Sequence, residues 1–321
     1  MKLVIQIPCY NEEENLPATF LDLPKTIEGI DQIETLVIDD GSDDRTVETA
    51  RRIGIDHILV LKNHGGLARA FAEGINTSLR LGADIIVTTD ADNQYAGQDI
   101  PRLVQPILEG KADLVVGSRQ IDSIPHFSRF KKRMLRWGSA VTRALSRTKV
   151  EDVVSGFRAF SKEAALRVNI LSEYSYTVEN LIQLGRQKLR IVSIPVRTNP
   201  KSRESRLIKS IPHFLGMQAV TVLRVYATYH ALKVFLALGL SIILPGLLGF
   251  LRFLYFYWTG RGQGHIQSLI FSAALLLVGF IVLVFGLIAD LIGNNRKLIE
   301  TALYRIRRME LENAERPKDE D

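Results

Sequence analysis

The stretch IIVTTDADNQ, residues 85–94, joins an apolar run to a turn that carries oxygen-bearing side chains. The run is short and rich in β-branched residues, as expected of a buried strand. Asp90, Asp92 and Gln94 follow it on alternate positions, so their oxygens can converge on one hard cation such as Mg²⁺ or Mn²⁺. Because turns often contain Asp pairs without any ligand, the surrounding fold has to decide between the two interpretations.

The same change from apolar run to polar turn recurs along the first 120 residues. Apolar runs predict strands at residues 3–7, 34–38, 57–61, 84–88 and 113–116, and helical patterns lie between them at 13–23, 43–53, 67–81 and 99–108. Alternating strands and helices predict a parallel sheet covered on both faces. Ligands of such sheets bind beyond the carboxyl ends of the strands. The turn at residues 90–94 is therefore predicted to bind a metal.

Polar residues also follow the other predicted strands: PCYNE at residues 8–12, DDGSDD at 39–44, NHGG at 63–66 and GSR at 117–119. Since the carboxyl ends of parallel strands meet at one edge, we expect a single polar site there. Asp39 and Asp40 have two interpretations. They are carboxylates that accept hydrogen bonds from a nucleobase or a ribose hydroxyl, or they cap the helix expected near Asp43.

Length and composition exclude several classes of protein. The 321 residues suffice for two or three domains, and 46% hydrophobic with 24% charged residues excludes disordered and collagen-like chains. The single cysteine, Cys9, excludes an internal disulfide and a cysteine zinc site, and we expect it in the core. The net charge of +6 favours an anionic partner, namely nucleic acid, phosphate groups or a lipid surface.

Two uncharged, mostly apolar runs occupy the C-terminal third, at residues 234–251 and 268–289. A helix needs ~20 apolar residues to cross the hydrocarbon layer of a bilayer. The second run satisfies this length, and the first does so when it is extended through the aromatic cluster at residues 253–258, which is typical of a membrane interface. We therefore expect transmembrane helices at 234–258 and 268–290. Two buried core helices are the alternative.

The charges that flank these runs predict their orientation. The link at residues 259–267 carries one arginine, whereas residues 296–308 carry five Lys or Arg residues against one acid. By the positive-inside rule, the protein is a multi-pass protein of the cell membrane with both termini in the cytoplasm. The N-terminal apolar stretch is too short for a signal peptide. We expect a cytosolic domain at 1–205, an amphipathic segment at 206–233 that lies on the membrane or packs on that domain, and a cytosolic basic tail at 291–321.

Six motifs occur in a fixed order: IPCYNEEENL at 7–16, DDGSDD at 39–44, NHGGLARAFAEG at 63–74, DADNQY at 90–95, VGSR at 116–119 and DVVSGFRAF at 152–160. In this order they resemble the motifs of family 2 glycosyltransferases with the GT-A fold. With the added membrane hairpin, the chain is similar to the polyprenyl-phosphate glycosyltransferases, such as dolichyl-phosphate mannose synthase and bacterial undecaprenyl-phosphate glucosyltransferases. The resemblance implies a Rossmann-like α/β domain with a mainly parallel sheet, followed by a two-helix transmembrane hairpin.

The resemblance also implies site residues. Those expected to hold the base and ribose of the donor are Pro8, Tyr10, Glu12, Asp39 and Asp40. Those expected to hold Mg²⁺ or Mn²⁺ on the donor diphosphate are Asp90, Asp92 and Gln94, and Asp90 and Ala91 are also expected to contact the nucleotide sugar. Asp92 and Arg119 are the implied catalytic residues, and Arg119 matches the family arginine that faces the acceptor phosphate.

Two basic stretches, residues 126–149 and 186–209, each contain eight Lys or Arg residues. A solvated face is the simple explanation, but their place before a membrane segment favours anionic headgroups and phosphates. In the first stretch the implied acceptor-phosphate residues are Lys131, where the family has an arginine, with Lys132 and Arg133 beside it. In PKSRESR, residues 200–206, Arg203 stands where the family has glycine, and Arg203 or Arg206 is the implied clamp on the donor phosphate.

The function that the resemblance implies is an inverting transfer of a hexose from a UDP- or GDP-linked sugar to the phosphate of a polyprenyl phosphate. The expected partners are the nucleotide sugar, the lipid phosphate and the membrane, with a homo-oligomer left open. Nucleic acid is not an expected partner, because no recognised binding motif is present and a membrane hairpin argues against it. Two alternatives stay open: transfer to a hydroxyl of a diacylglycerol or glycan, and a non-catalytic membrane scaffold with a GT-A domain.

Overall fold

The computed structural model describes residues 1–119, 143, 148, 150–170, 176–200, 211–260 and 262–315. The chain divides into two compact units. The first contains Met1–Phe214 together with Tyr304–Asp321, and the second contains Leu215–Leu303.

The first unit is built on a seven-stranded sheet with the strand order β3-β2-β1-β4-β6-β5-β7. The strands are β1 Lys2–Cys9, β2 Gln32–Asp39, β3 His57–Val60, β4 Ile85–Thr88, β5 Leu114–Arg119, β6 Arg158–Ser161 and β7 Ile191–Val196. All described neighbours pair in parallel except β6, which runs antiparallel to both β4 and β5. The mainly parallel α/β architecture is confirmed.

Helices cover both faces of this sheet. They are α1 Leu16–Asp22, α2 Thr46–Ile53, α3 Leu67–Arg80, α4 Ile100–Leu108, α5 Lys162–Arg167 and α6 Tyr176–Arg186. Successive residues of β1 point to opposite faces, so Leu3, Ile5 and Ile7 enter one apolar core while Val4 enters the other. Cys9 is buried in the first of these cores, as expected. Both faces of such a strand are covered and have no contact with water. Polar side chains that bind a ligand are therefore expected at its ends.

The five strands and four helices predicted in the first 120 residues are confirmed, with shifted ends. Helix α2 begins at Thr46 and not at residue 43, because the Asp44 carboxylate accepts hydrogen bonds from the Thr46 backbone N–H and hydroxyl. Strand β6 is antiparallel and lies beyond the predicted alternation of strands and helices. The sequence predicts neither β6 nor β7, because β6 begins at a charged residue, Arg158, and the edge strand β7 contains Pro195.

The second unit contains most of two long helices, α7 Ile211–Trp258 and α8 Ile266–Glu315, and the 3₁₀ turn at Gly262–His265 between them. Their segments Ala231–Trp258 and Ile266–Asn313 are long and apolar enough to cross a membrane, by length and composition, and only 11% of the most apolar window of each is buried. Large apolar side chains such as Leu248 and Phe271 are 67% exposed. This exposure contradicts the alternative of two buried core helices and is typical of lipid-facing segments.

Small residues line the contact between the two helices of this hairpin. A Cβ atom on Gly239 would lie 3.1 Å from the Gly279 carbonyl oxygen, and one on Gly279 would lie 3.1 Å from the Gly239 carbonyl oxygen. One heptad before and after Gly279, a Cβ atom on Gly249 would overlap Ser272 Oγ, and a Cβ atom on Gly286 would lie 2.6 Å from Phe235 Cβ. Without a hydrophobic driving force in lipid, close backbone approach of this kind supplies the packing energy of the pair.

The last part of α8, from Tyr304, belongs to the first unit. The Tyr304 hydroxyl donates a hydrogen bond to Glu163 at 3.0 Å. Arg307 donates to the carbonyl oxygens of Leu166 and Val168, at 3.3 and 2.6 Å, where α5 ends. Carbonyls in the last turn of a helix lack an intrahelical donor, so Arg307 satisfies two acceptors and ties the C-terminal segment to α5.

Candidate active site

The polar turns after β1, β2 and β4 lie at one edge of the sheet. Cys9 at the end of β1 pairs with Asp39 at the end of β2, and Gln6 of β1 pairs with Thr88 at the end of β4. Hydrogen bonds fasten the first two turns to each other: the Asn11 N–H donates to Ser42 Oγ at 2.9 Å, and the Glu12 N–H donates to Thr46 Oγ1 at 2.8 Å. The predicted convergence of these loops is confirmed.

The two acidic residues at the end of β2 have different environments. Asp40 is 2% exposed, and both of its oxygens are used: the N–H groups of Gly65 and Gly66 donate to them at 2.9 and 2.7 Å, and His64 Nδ1 lies 2.9 Å from Oδ2. Asp40 therefore anchors the turn that precedes α3. At the start of α2 the Thr46 N–H donates to Asp44, so the interpretation that Asp39 or Asp40 caps that helix is wrong.

Asp39 is buried and has one free acceptor. Its Oδ2 accepts a hydrogen bond from the Ser42 N–H at 3.2 Å, while Oδ1 is buried without a partner among the residues that the structure describes. A buried acceptor without a donor costs folding free energy, so it commonly marks the place where a ligand supplies the donor. Beside it, the Tyr10 ring stacks on the His64 ring with their centroids 3.9 Å apart.

The turn after β4 is held from two sides. Asp92 Oδ1 accepts from the Gln94 N–H at 3.2 Å, and Asn93 adopts a left-handed backbone with φ 53°. Asn199, in the segment after β7, donates its N–H to the Gln94 carbonyl at 2.9 Å and its side-chain amide to Asn93 Oδ1 at 3.3 Å. On the α1 side, the carbonyl of buried Ala91 accepts from the Thr19 hydroxyl at 2.8 Å. The turn is therefore preorganised by its neighbours.

The carboxylates of this turn fit a divalent cation. Burial and the negative charge of Asp92 raise the pKa of Asp90 to about 7, with Glu12 acting in the same direction and Arg119 opposing it. Such a site favours a cation that stabilises both ionised carboxylates. No group of three His, Cys, Asp or Glu side chains that could hold a metal occurs in the described part of the chain. Asp90 and Asp92 thus offer part of a coordination shell, and Mg²⁺ or Mn²⁺ typically completes such a shell with substrate phosphates and water.

Arg119 lies at the end of β5 and is held by a buried acid. Its Nε and Nη2 donate to the two oxygens of Asp152 at 2.7 and 3.1 Å, and Asp152 is fully buried. The guanidinium lies 5.8 Å from the Tyr95 ring centroid, and its charge acts on Asp90. A bidentate pair of this kind fixes the direction of the guanidinium. Asp152 is not predicted as this partner from the sequence, since it lies 33 residues from Arg119.

The loop before β6 takes its shape from a buried arginine. Arg158 is fully buried and donates to the carbonyl oxygens of Val153, Ser155 and Thr177 at 2.9, 2.8 and 2.8 Å, and also to Asn180 Oδ1. Burial lowers its pKa to about 10, and the guanidinium stays charged at neutral pH. These hydrogen bonds fasten the loop that carries the buried partner of Arg119 to helix α6.

The described residues expected in the site lie in these turns or at the strand ends that lead into them: Pro8, Tyr10, Glu12, Asp39, Asp40, Asp90, Ala91, Asp92, Gln94 and Arg119. The remaining expected residues, Lys131, Lys132, Arg133, Arg203 and Arg206, lie outside the described residues. Asn199 and Gly156 are not predicted from the sequence, because their contacts join segments far apart in the chain and leave no local pattern.

Known structures share this fold. The chain superposes on glucosyl-3-phosphoglycerate synthase from Mycobacterium tuberculosis, in complex with Mn²⁺, UDP and glucosyl-3-phosphoglycerate, with a TM-score of 0.55 and 19% identity. The match covers 70% of this chain and 78% of that one. At this identity the similarity shows the GT-A fold alone.

Sequence relatives are similar over most of their own length. An undecaprenyl-phosphate mannosyltransferase from Micrococcus luteus is 29% identical over 206 residues, which are 61% of this chain and 83% of the relative. A UDP-N-acetylglucosamine–dolichyl-phosphate N-acetylglucosaminyltransferase from Methanococcus voltae is 31% identical over 217 residues, 60% of this chain and 83% of the relative. Residues 4–168, half of the chain, match the family model of glycosyl transferase family 2. On this match and on the fold that carries it, the chain belongs to glycosyl transferase family 2.

Proposed function

We propose that this glycosyltransferase moves a hexose from a UDP- or GDP-linked sugar to the phosphate of a polyprenyl phosphate at the membrane. One observation carries the proposal. The turn with the two carboxylates of Asp90 and Asp92 lies at the same edge of the sheet as Arg119, which is held in place by a buried carboxylate. Relatives whose names state transfer to undecaprenyl or dolichyl phosphate, and two helices apolar enough for membrane spans, support the lipid acceptor.

The donor nucleotide binds, in this proposal, at the ends of β1 and β2. Asp39 Oδ1 accepts the N–H of the base, since it is a buried carboxylate oxygen at the end of β2 that lacks a donor in the described part of the chain. Uracil and guanine both present such an N–H, so this contact serves either nucleotide. Tyr10 offers an aromatic face to the base, and Glu12 and Asp40 support the ribose side of the pocket. Arg203 or Arg206 clamps the donor phosphates.

Asp90 and Asp92, with Gln94, hold Mg²⁺ or Mn²⁺ in this proposal. When bound, the cation neutralises the charge that develops on the leaving diphosphate. Asn199 holds the turn in place through Asn93 and the Gln94 carbonyl, so the backbone of the turn needs little reorganisation on binding.

The acceptor phosphate needs positioning more than it needs a base. A phosphate monoester has a second pKa of ~6 and is already an anion at pH 7. Arg119 uses Nε and Nη2 for Asp152 and so presents a fixed positive charge beside Asp90, where two anionic substrates meet. Lys131, Lys132 and Arg133 add positive charge for the same phosphate. The phosphate oxygen attacks the anomeric carbon from the side opposite the leaving diphosphate. The configuration at that carbon is therefore inverted.

The proposed topology places both termini in the cytoplasm and residues 259–267 outside the cell. With Cys9 buried, a single cysteine introduced at Gly262 should react with an impermeant maleimide in intact cells, while one at Asn313 should react only after the cells are opened. Labelling of Asn313→Cys from outside, with Gly262→Cys protected, would reverse the orientation and contradict the proposal.

The reaction is tested with membranes that contain the full chain, a panel of labelled UDP- and GDP-sugars, and mass spectrometry of the lipid products. We expect one nucleotide sugar to yield a polyprenyl-phosphate hexose in a reaction that stops in EDTA. A product in which the sugar is attached to a diacylglycerol or a glycan would contradict the proposal and favour a hydroxyl acceptor.

A further inference from the structure

Two complementary groups face each other in the site without a hydrogen bond between them. A Cβ atom on Gly156 would lie 2.9 Å from the Tyr176 hydroxyl oxygen and 3.1 and 3.4 Å from the two oxygens of Asp90. The hydroxyl and the carboxylate therefore border the same small space, which exists because residue 156 has no side chain.

Neither group is satisfied by the part of the chain that the structure describes. The Tyr176 hydroxyl is buried and has no hydrogen-bond partner in the residues that the structure describes. Over the same residues, the Asp90 carboxylate accepts no hydrogen bond. A phenol is protonated at neutral pH and can donate, and an ionised carboxylate can only accept, so each group supplies what the other lacks.

The position of the hydroxyl is rigid. Tyr176 is the first residue of α6 and 1% exposed, and its ring stacks on Phe71 with the centroids 3.9 Å apart and the planes inclined by 10°. Arg158 fastens the first turn of the same helix to the loop before β6 through the Thr177 carbonyl at 2.8 Å. Asp90 lies in a turn and is the more adaptable of the two partners.

We propose that Tyr176 is a positioning residue, whose hydroxyl donates a hydrogen bond to the Asp90 carboxylate in the donor-loaded enzyme and fixes the orientation in which that carboxylate meets the cation. The proposal rests on the proposed function, since it assigns Asp90 to the divalent cation on the donor diphosphate. In the empty enzyme the hydroxyl has no partner in the described chain, and a buried unpaired hydroxyl lowers the stability of the fold. Tyr176 thus destabilises the empty fold and strengthens the occupied site.

The test is Tyr176→Phe, which removes the hydroxyl and keeps the stacked ring. Ser78→Ala is the matched control: the Ser78 hydroxyl is also buried without a partner in the described chain, and it lies near the end of α3 away from the site. Dissociation constants of UDP and GDP are measured by calorimetry with Mn²⁺ and in EDTA on the full chain. Thermal unfolding midpoints are measured without nucleotide.

We expect Tyr176→Phe to raise the dissociation constant of the Mn²⁺-nucleotide about tenfold and to leave binding in EDTA unchanged, because one hydrogen bond to a charged group is lost. Both variants should raise the unfolding midpoint, and Ser78→Ala should bind Mn²⁺-nucleotide as the unchanged protein does. Unaltered Mn²⁺-nucleotide binding by Tyr176→Phe, or equal losses with Mn²⁺ and in EDTA, would overturn the role of Tyr176. Failure of the unchanged protein to bind either nucleotide would instead refute the proposed function, and this inference with it.

Discussion

Replacement of Asp92 by asparagine should lower kcat for glycosyl transfer by about 10³-fold, equivalent to ~4 kcal/mol of transition-state stabilisation. The change removes one of the two carboxylates of the 90–94 turn while keeping an oxygen that can accept from the Gln94 N–H. Steady-state kinetics over a range of Mn²⁺ concentrations measure the effect. Activity of Asp92→Asn close to that of the unchanged protein at saturating Mn²⁺ would remove Asp92 from the cation site.

Stability provides the control for this variant. Since Asp92 helps to raise the pKa of Asp90, the folded protein binds the Asp90 proton more tightly than the unfolded chain does. The pKa of Asp90 is 3.8 in the unfolded chain and about 7 in the folded protein. The contribution of Asp90 to the free energy of unfolding therefore falls as the pH rises through this range. Asp92→Asn lessens this loss. Its unfolding midpoint in EDTA should equal or exceed that of the unchanged protein at pH 8, with a smaller difference at pH 4.

Arg119→Ala should reduce use of the acceptor about 10²-fold or more in kcat/KM, with a much smaller effect on donor binding. The variant leaves two anionic substrates without the counter-charge that Asp152 holds in place. It also leaves the fully buried Asp152 carboxylate without its ion-pair partner, which costs about 3 kcal/mol of folding free energy. Acceptor titrations at saturating donor and thermal unfolding measure the two effects.

The double variant Arg119→Ala/Asp152→Ala separates the effect on acceptor use from the effect on stability. Removal of the buried carboxylate should recover most of the lost stability, whereas acceptor use should stay impaired because the positive charge is still missing. Recovery of activity together with stability would show that Arg119 serves the fold alone, and the acceptor role would then be wrong.

Local sequence patterns predict the strands and helices whose formation is determined by residues close together in the chain. The run before Asp90 reads as a strand because its side chains are apolar and β-branched, and the two membrane-length helices follow from uninterrupted apolar runs. Strand β6 is different. It is stabilised by pairing with β4 and β5 and begins at Arg158, whose buried charge is satisfied by oxygens of residues 153–180. Nothing in a short window shows that a charged residue will be buried.

The site shows the same division. Asp90, Asp92 and Gln94 are found from their spacing, but their supports come from far along the chain: Asn199 holds the turn, and Asp152 holds Arg119. Such partners are chosen by topology and not by spacing. The pair at the end of β2 illustrates a second limit. The sequence does not show that Asp40 accepts backbone N–H groups while Asp39 Oδ1 has no partner in the described chain. The acceptor residues at 131–133 stay predictions.

The nature of the nucleophile tests the account most directly. The purified full chain, reconstituted in lipid, is given one labelled nucleotide sugar together with either polyprenyl phosphate or free polyprenol of the same chain length. We predict a glycolipid product with polyprenyl phosphate alone, and a kcat/KM that falls on the acid side near the second phosphate pKa of ~6, lowered by neighbouring arginines. Equal use of polyprenyl phosphate and polyprenol would contradict the phosphate nucleophile.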